Sequence, residues 1–213
     1  LRFTFAALAT QSRDIRFDLG RVAGYRNFCN KLWNAARFVT MMVASDADAP
    51  AAGPVEHSVA DRWIRSRLGR TSEAVDAAFA EYRFDYAATA LYEFTWYEFC
   101  DWYLELVKPV LQGEATEAAK RAARRTLLEV LEALLRALHP IMPFVTEEIW
   151  QRVAPLAGRE GPTIMLAPWP ASAEWPIDES AEAEVAWIRS VILALRQIRG
   201  EMNISMAKRI DVV

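Results

Sequence analysis

In this 213-residue sequence, Asn27, Lys31, Asn34 and Phe38 recur at i, i+4, i+7 and i+11, a spacing that stacks them along one helix face. Arg26, Asn30 and Arg37 fall in the same polar sector. A phenyl ring among amides and cations can stack an unpaired nucleobase while its neighbours reach base edges and phosphates. The same spacing also suits a ring covered by a neighbouring helix, and both readings of Phe38 stand at this point. Opposite lie Tyr25, Phe28, Cys29, Leu32, Ala36, Val39 and Val43, an apolar stripe expected to face the core.

Charge concentrates around the same place. Residues 1–40 hold seven basic side chains (Arg2, Arg13, Arg16, Arg21, Arg26, Lys31, Arg37) against Asp14 and Asp18, a net of +5. The remaining residues carry 18 basic and 26 acidic groups, a net of −8, which gives the overall −3. A basic segment on an acidic body is a local footprint for a polyanion, and also an ordinary pattern of surface charge.

Other chemistry is not supported. His57 and His139 are far apart, and neither has a cysteine or carboxylate at metal-ligand spacing. His139, at a helix end before Pro140, reads as structural. Glu147 and Glu148 read as acidic charge near a helix start. Gly20 and Gly24 are isolated, so no glycine-rich phosphate loop is present. Asn203-Ile204-Ser205 matches a glycosylation sequon, which a cytoplasmic protein would not use. Residues 82–103 hold ten aromatics, a density that fits packed helices better than a base-stacking surface beside Glu93, Glu98, Asp101 and Glu105. No catalytic residue and no metal site is expected.

The elements that must position these residues are helical. Helices are expected over 20–44, 59–82, 85–108, 114–138, 143–155 and 180–202, from apolar periodicity bounded by Ser58, Pro109, His139-Pro140 and Pro143. Residues 45–55 are a loop, broken by Pro50, Gly53 and Pro54. Gly158, Gly161 and four prolines between 162 and 176 predict irregular structure, with one short strand at 163–166 that could pair with 209–213. The fold class is all-α, a helical bundle with a minor β element near the C-terminus. At 53% hydrophobic with 24 aromatics, the chain can bury a sizeable core. Two cysteines argue against a disulfide scaffold, and no apolar run reaches membrane-spanning length, so a cytoplasmic, soluble protein is expected.

Several blocks, in order, resemble the valyl-tRNA synthetase family. Asn30 to Val39 (N-K-L-W-N-A-A-R-F-V) is similar to the opening of its anticodon-binding domain, and Ser12-Arg13-Asp14-Ile15 to the stretch after the K-M-S-K-S loop. The family more often has Gly where Ser12 stands. Phe99 to Glu105, His139 to Phe144, Glu147 to Trp150 and Ile198 to Ile204 resemble later blocks. Isoleucyl and leucyl enzymes share the architecture, but the Asn-Lys-Leu-Trp-Asn run favours the valyl member. The resemblance implies a class I anticodon-binding bundle. Residues 1–18 would be a helical tail following the catalytic core, 19–157 the bundle, and 158–213 an irregular segment, a helix and the start of a strand. It implies tRNA(Val) as partner, with Arg26, Asn27, Lys31, Asn34, Arg37 and Phe38 as tRNA-binding residues. The parent enzyme would attach valine with ATP and Mg. Its H-I-G-H and K-M-S-K-S motifs and editing domain would lie upstream and a coiled-coil arm downstream. This piece would be non-catalytic and monomeric, with no cofactor of its own. Ser205 to Arg209 only mimics K-M-S-K-S. A helical scaffold contacting protein alone is the alternative from a different class.

Overall fold

A computed structural model describes residues 1–10, 14, 17–44, 54–205 and 208. The order is α1 (Arg2–Leu8), α2 (Leu19–Ala44), α3 (Val59–Ala80), α4 (Phe84–Glu93), a π-helical segment (Phe94–Tyr103), α5 (Leu104–Gln112), α6 (Glu117–Leu138), α7 (Pro143–Val153) and α8 (Glu179–Glu201). Short 3-10 turns at Ile164–Leu166 and Ser172–Glu174 punctuate the return between α7 and α8.

Helix α6 is the hub. Its Ala/Leu face touches α2, α3, α4, α5 and α7, with Leu127, Val130, Leu131, Leu134, Leu135 and Leu138 fully buried. The helix starts are locally encoded. Thr116 accepts the Ala119 N–H at 3.2 Å, and Ser58 and Asp61 form a reciprocal capping box on α3. Asp61 also accepts the buried Tyr103 hydroxyl at 2.6 Å, so one carboxylate both caps α3 and holds it to the π segment. Gly69 is where α3 meets the return loop: a Cβ there would stand 2.5 Å from the Trp175 carbonyl oxygen, so only glycine permits the approach.

Two sequence expectations are corrected. Residues 85–108 do not form one regular helix ended by Pro109. The chain passes from α4 into π winding, where the Leu104 N–H donates to the Phe99 carbonyl five residues back, and α5 then runs past Pro109 to Gln112. Of the ten aromatics in 82–103, Phe94, Phe99, Trp102 and Tyr103 are buried and Tyr92 and Trp96 pack against the core, whereas Tyr82, Phe84, Tyr86 and Tyr97 are exposed, so the expectation of a core role holds for six of them. The short strand at 163–166 is a 3-10 turn. Glu147 takes the Ile164 N–H at 3.2 Å and the Thr163 hydroxyl accepts the Met165 N–H at 3.3 Å, so these donors are spent locally rather than on a strand partner. Among the described residues there is no strand, and 209–213 lie outside them.

Candidate nucleic-acid interface

Helix α2 begins where Asp18 caps it, its carboxylate accepting the Gly20 N–H at 2.7 Å. Phe28, Leu32, Ala35, Ala36 and Val39 are buried against the π segment, α6 and α7. Burying that stripe fixes the helix's rotation, and Arg26, Asn27, Asn30, Asn34, Arg37 and Met41 are left facing solvent. The result is two guanidinium groups and three amides along about four turns. Arg26 and Arg37 make no ion pair among the described residues, so both charges are available to an incoming anion.

Lys31 and Phe38 sit at the edge of this strip, toward the π segment and α5, rather than at its centre. The Lys31 ammonium pairs with the Asp101 carboxylate and lies 4.2 Å from the Trp96 ring centroid. Asp101 offsets its charge, so a phosphate would have to compete for it. Phe38 is half-buried and packs against the core, with the Lys108 ammonium 5.6 Å from its ring centroid. Of the six sequence-nominated residues, Arg26, Asn27, Asn34 and Arg37 therefore share one open face, while Lys31 and Phe38 are already partnered within the bundle.

The two roles for Phe38 separate by experiment. If its outer edge stacks a base, Phe38→Ala should cost about 1–3 kcal/mol of RNA binding with little change in melting. If its inner contacts dominate, the loss should appear as up to about 3–5 kcal/mol of folding stability instead. Thermal melting and RNA affinity measured on the same sample decide between them.

Sequence reading missed the other flank of the strip. Trp33 is half-buried on the α7 side, and the Arg152 guanidinium sits 5.6 Å from its ring centroid. Arg152, itself exposed, donates to Glu148 at 2.7 Å. The helical phase of Trp33 places it beside Arg37, which was the available signal. Its partner on α7 is 119 positions away and has no signature in spacing.

The remaining titratable groups read as structural. His139 Nδ1 lies 2.8 Å from the Thr146 hydroxyl, and burial lowers its pKa despite the nearby Glu147 carboxylate, so the ring is neutral near pH 7. Glu147 does more than complement a helix dipole, since it accepts the Thr163 hydroxyl at 2.7 Å and pins the return loop. Burial alone would raise its pKa, but hydrogen bonds from Gln151, Thr163 and Ile164 together hold it low. Burial pushes the Cys100 thiol up to about 12 against the pull of Lys31, so it is no thiolate nucleophile at neutral pH. Among the described residues, no group of three His, Cys, Asp or Glu side chains is placed to hold a metal, and no helix is long and apolar enough to cross a membrane.

Fold and face together define an all-helical module that turns a cationic, amide-rich strip to solvent. The sequence pattern of the anticodon-binding domain of tRNA ligases matches residues 61–213, and the chain belongs to that family. The matched residues run from the first turn of α3 through α8, and α2, which ends at Ala44, precedes them. Over its whole length the chain is 54% identical to a valine–tRNA ligase of Coxiella burnetii, and it spans 23% of that relative.

Proposed function

We propose that this chain is the anticodon-binding module of a valyl-tRNA synthetase and holds tRNA(Val) at the anticodon stem-loop. The observation that carries the reading is the open face of α2, where Arg26 and Arg37 bracket Asn30 and Asn34. The identity to a valine–tRNA ligase spans this helix as well as the bundle, which supports the valyl assignment. In this reading Arg26 and Arg37 neutralise phosphates, and the amides of Asn27, Asn30 and Asn34 reach sugar and base edges. Lys31 and Phe38 line the strip on the α5 side. The parent enzyme would attach valine to the tRNA with ATP and Mg, and this module would orient the tRNA rather than perform that chemistry.

The outer face of α8 supports membership of a larger assembly. Trp187, Val191, Ile198 and Met202 recur along one face at 68%, 39%, 47% and 67% exposure. An apolar stripe of that length on a soluble surface is characteristic of a contact with another protein surface.

Binding of the chain to tRNA tests the proposal. Affinity should fall steeply as salt rises and unlabelled tRNA(Val) should compete. Binding that ignores both, or no binding at all, would leave the protein-contacting scaffold as the better reading.

A further inference from the structure

We propose that the pocket between α1, α2, α4 and the π segment binds a small zwitterion of the ω-amino-acid class, an ammonium and a carboxylate joined by a short methylene stem. The pocket uses none of the residues of the cationic strip on α2, and the inference stands apart from the RNA-binding reading.

The pocket has a volume of about 380 Å³, ample for a ligand of that size. Its floor is apolar, with Phe3 and Ala88 buried beneath it. Tyr25, Tyr92 and Tyr97 line it as well. Tyr92 meets Tyr25 at 86° with centroids 6.1 Å apart, and Tyr97 at 80° with centroids 6.2 Å apart, so two rings stand nearly perpendicular to the third. Aromatic rings set at right angles around one space suit an alkylammonium, whose charge is drawn to the ring faces while its methylenes cover them. The same aromatic cluster already holds one ammonium. Lys31 lies 4.2 Å from the centroid of Trp96, which stacks on Tyr92 at 5.5 Å.

Charge selects the class of ligand. Arg21 on α2 and Glu93 on α4 both line the pocket, and both are exposed. Among the described residues neither forms an ion pair, with the other or with a third group. Two unlike charges left unpaired on two helices call for a molecule that carries both signs. Its ammonium meets Glu93 and the tyrosine rings, and its carboxylate takes the Arg21 guanidinium through two parallel hydrogen bonds. A plain cation would leave Arg21 unanswered, and a plain anion would leave Glu93 so.

Gly24 keeps the pocket open. It lines the α2 wall, and a Cβ placed on it would meet no other element within 4 Å. A larger side chain there would fill the space without clashing, and would favour the helix over glycine.

The test is a titration of the intact chain with straight-chain ω-aminocarboxylates of increasing length, followed by NMR shifts of the tyrosine rings. Affinity should peak at one length, where the ligand's charges match the separation of Arg21 and Glu93. Alkylamines and alkylcarboxylates of that length should bind about tenfold more weakly, the scale of one lost charged hydrogen bond. Glu93→Gln and Arg21→Gln, both at exposed positions, should each cost the best ligand a similar factor. Gly24→Leu should abolish binding and melt no lower than the wild type. Nα-acetyl-lysine and the free ω-amino acid separate two sources of this chemistry: tighter binding of the first identifies a carboxy-terminal lysine of a partner, and of the second a free small molecule. Either result supports the pocket. No saturable binding across the series, or binding indifferent to Glu93→Gln, Arg21→Gln and Gly24→Leu alike, would overturn it.

Discussion

Arg136→Ala is expected to cost about 3–5 kcal/mol of folding stability, the scale on which buried pairs fail when one partner is removed. In a chain of this size that corresponds to a melting temperature lower by roughly 6–20 °C. Glu132 and Arg136 are 2% and 4% exposed, one turn apart on α6. The guanidinium donates to both Glu132 oxygens at 2.9–3.0 Å and to the Pro168 carbonyl at 2.6 Å. The Trp150 indole donates to the same carboxylate at 2.9 Å. One pair thus joins α6 to α7 and to the return loop. Removing the guanidinium leaves a buried carboxylate with the Trp150 donor and, as its one remaining counter-charge among the described residues, the part-exposed Arg159 at 3.8 Å, and it orphans the Pro168 carbonyl. The double variant Glu132→Leu/Arg136→Met should be the milder of the two, since no uncompensated charge remains. Chemical denaturation of both variants checks this. A loss below about 1 kcal/mol for Arg136→Ala would show that water reaches the site.

Arg26→Ala/Arg37→Ala is expected to flatten the plot of log affinity for tRNA against log salt by roughly 1.4–1.8, two phosphate contacts at about 0.7–0.9 each. Because phosphates carry no sequence, affinity should fall alike for cognate and non-cognate tRNA. Arg62→Ala, an exposed cation of α3 paired with Asp178 at 2.8 Å, should leave the slope unchanged. Lys31→Ala should have a smaller effect than either α2 arginine, because Asp101 already offsets the ammonium. Equal slopes for the wild type and the double variant would place the phosphate track elsewhere.

The helices were legible in the sequence because their signals are local. Ser58 with Asp61, Thr116, and the His139-Pro140 stop act within a turn of the boundary they set. The stripe through Phe28, Leu32, Ala36 and Val39 fixed the rotation of α2, and with it the exposure of Arg26, Asn34 and Arg37. What escaped was decided at a distance. Asp101, which partners Lys31, is 70 positions away. Arg152, beside Trp33, is farther still. The turn at 163–166 depends on Glu147, 17 residues before Ile164. The π winding of 94–103 leaves no mark in apolar periodicity, because a run of rings reads as buried under either winding.

The central claim is that this module reads the anticodon. The most direct measurement compares the affinity of the chain, at one fixed salt concentration, for tRNA(Val) and for the same tRNA with its anticodon bases exchanged. The account predicts a loss of about 5- to 150-fold on exchange, the roughly 1–3 kcal/mol that one base read through hydrogen bonds to its edge is worth. Equal affinity for the two tRNAs would contradict it.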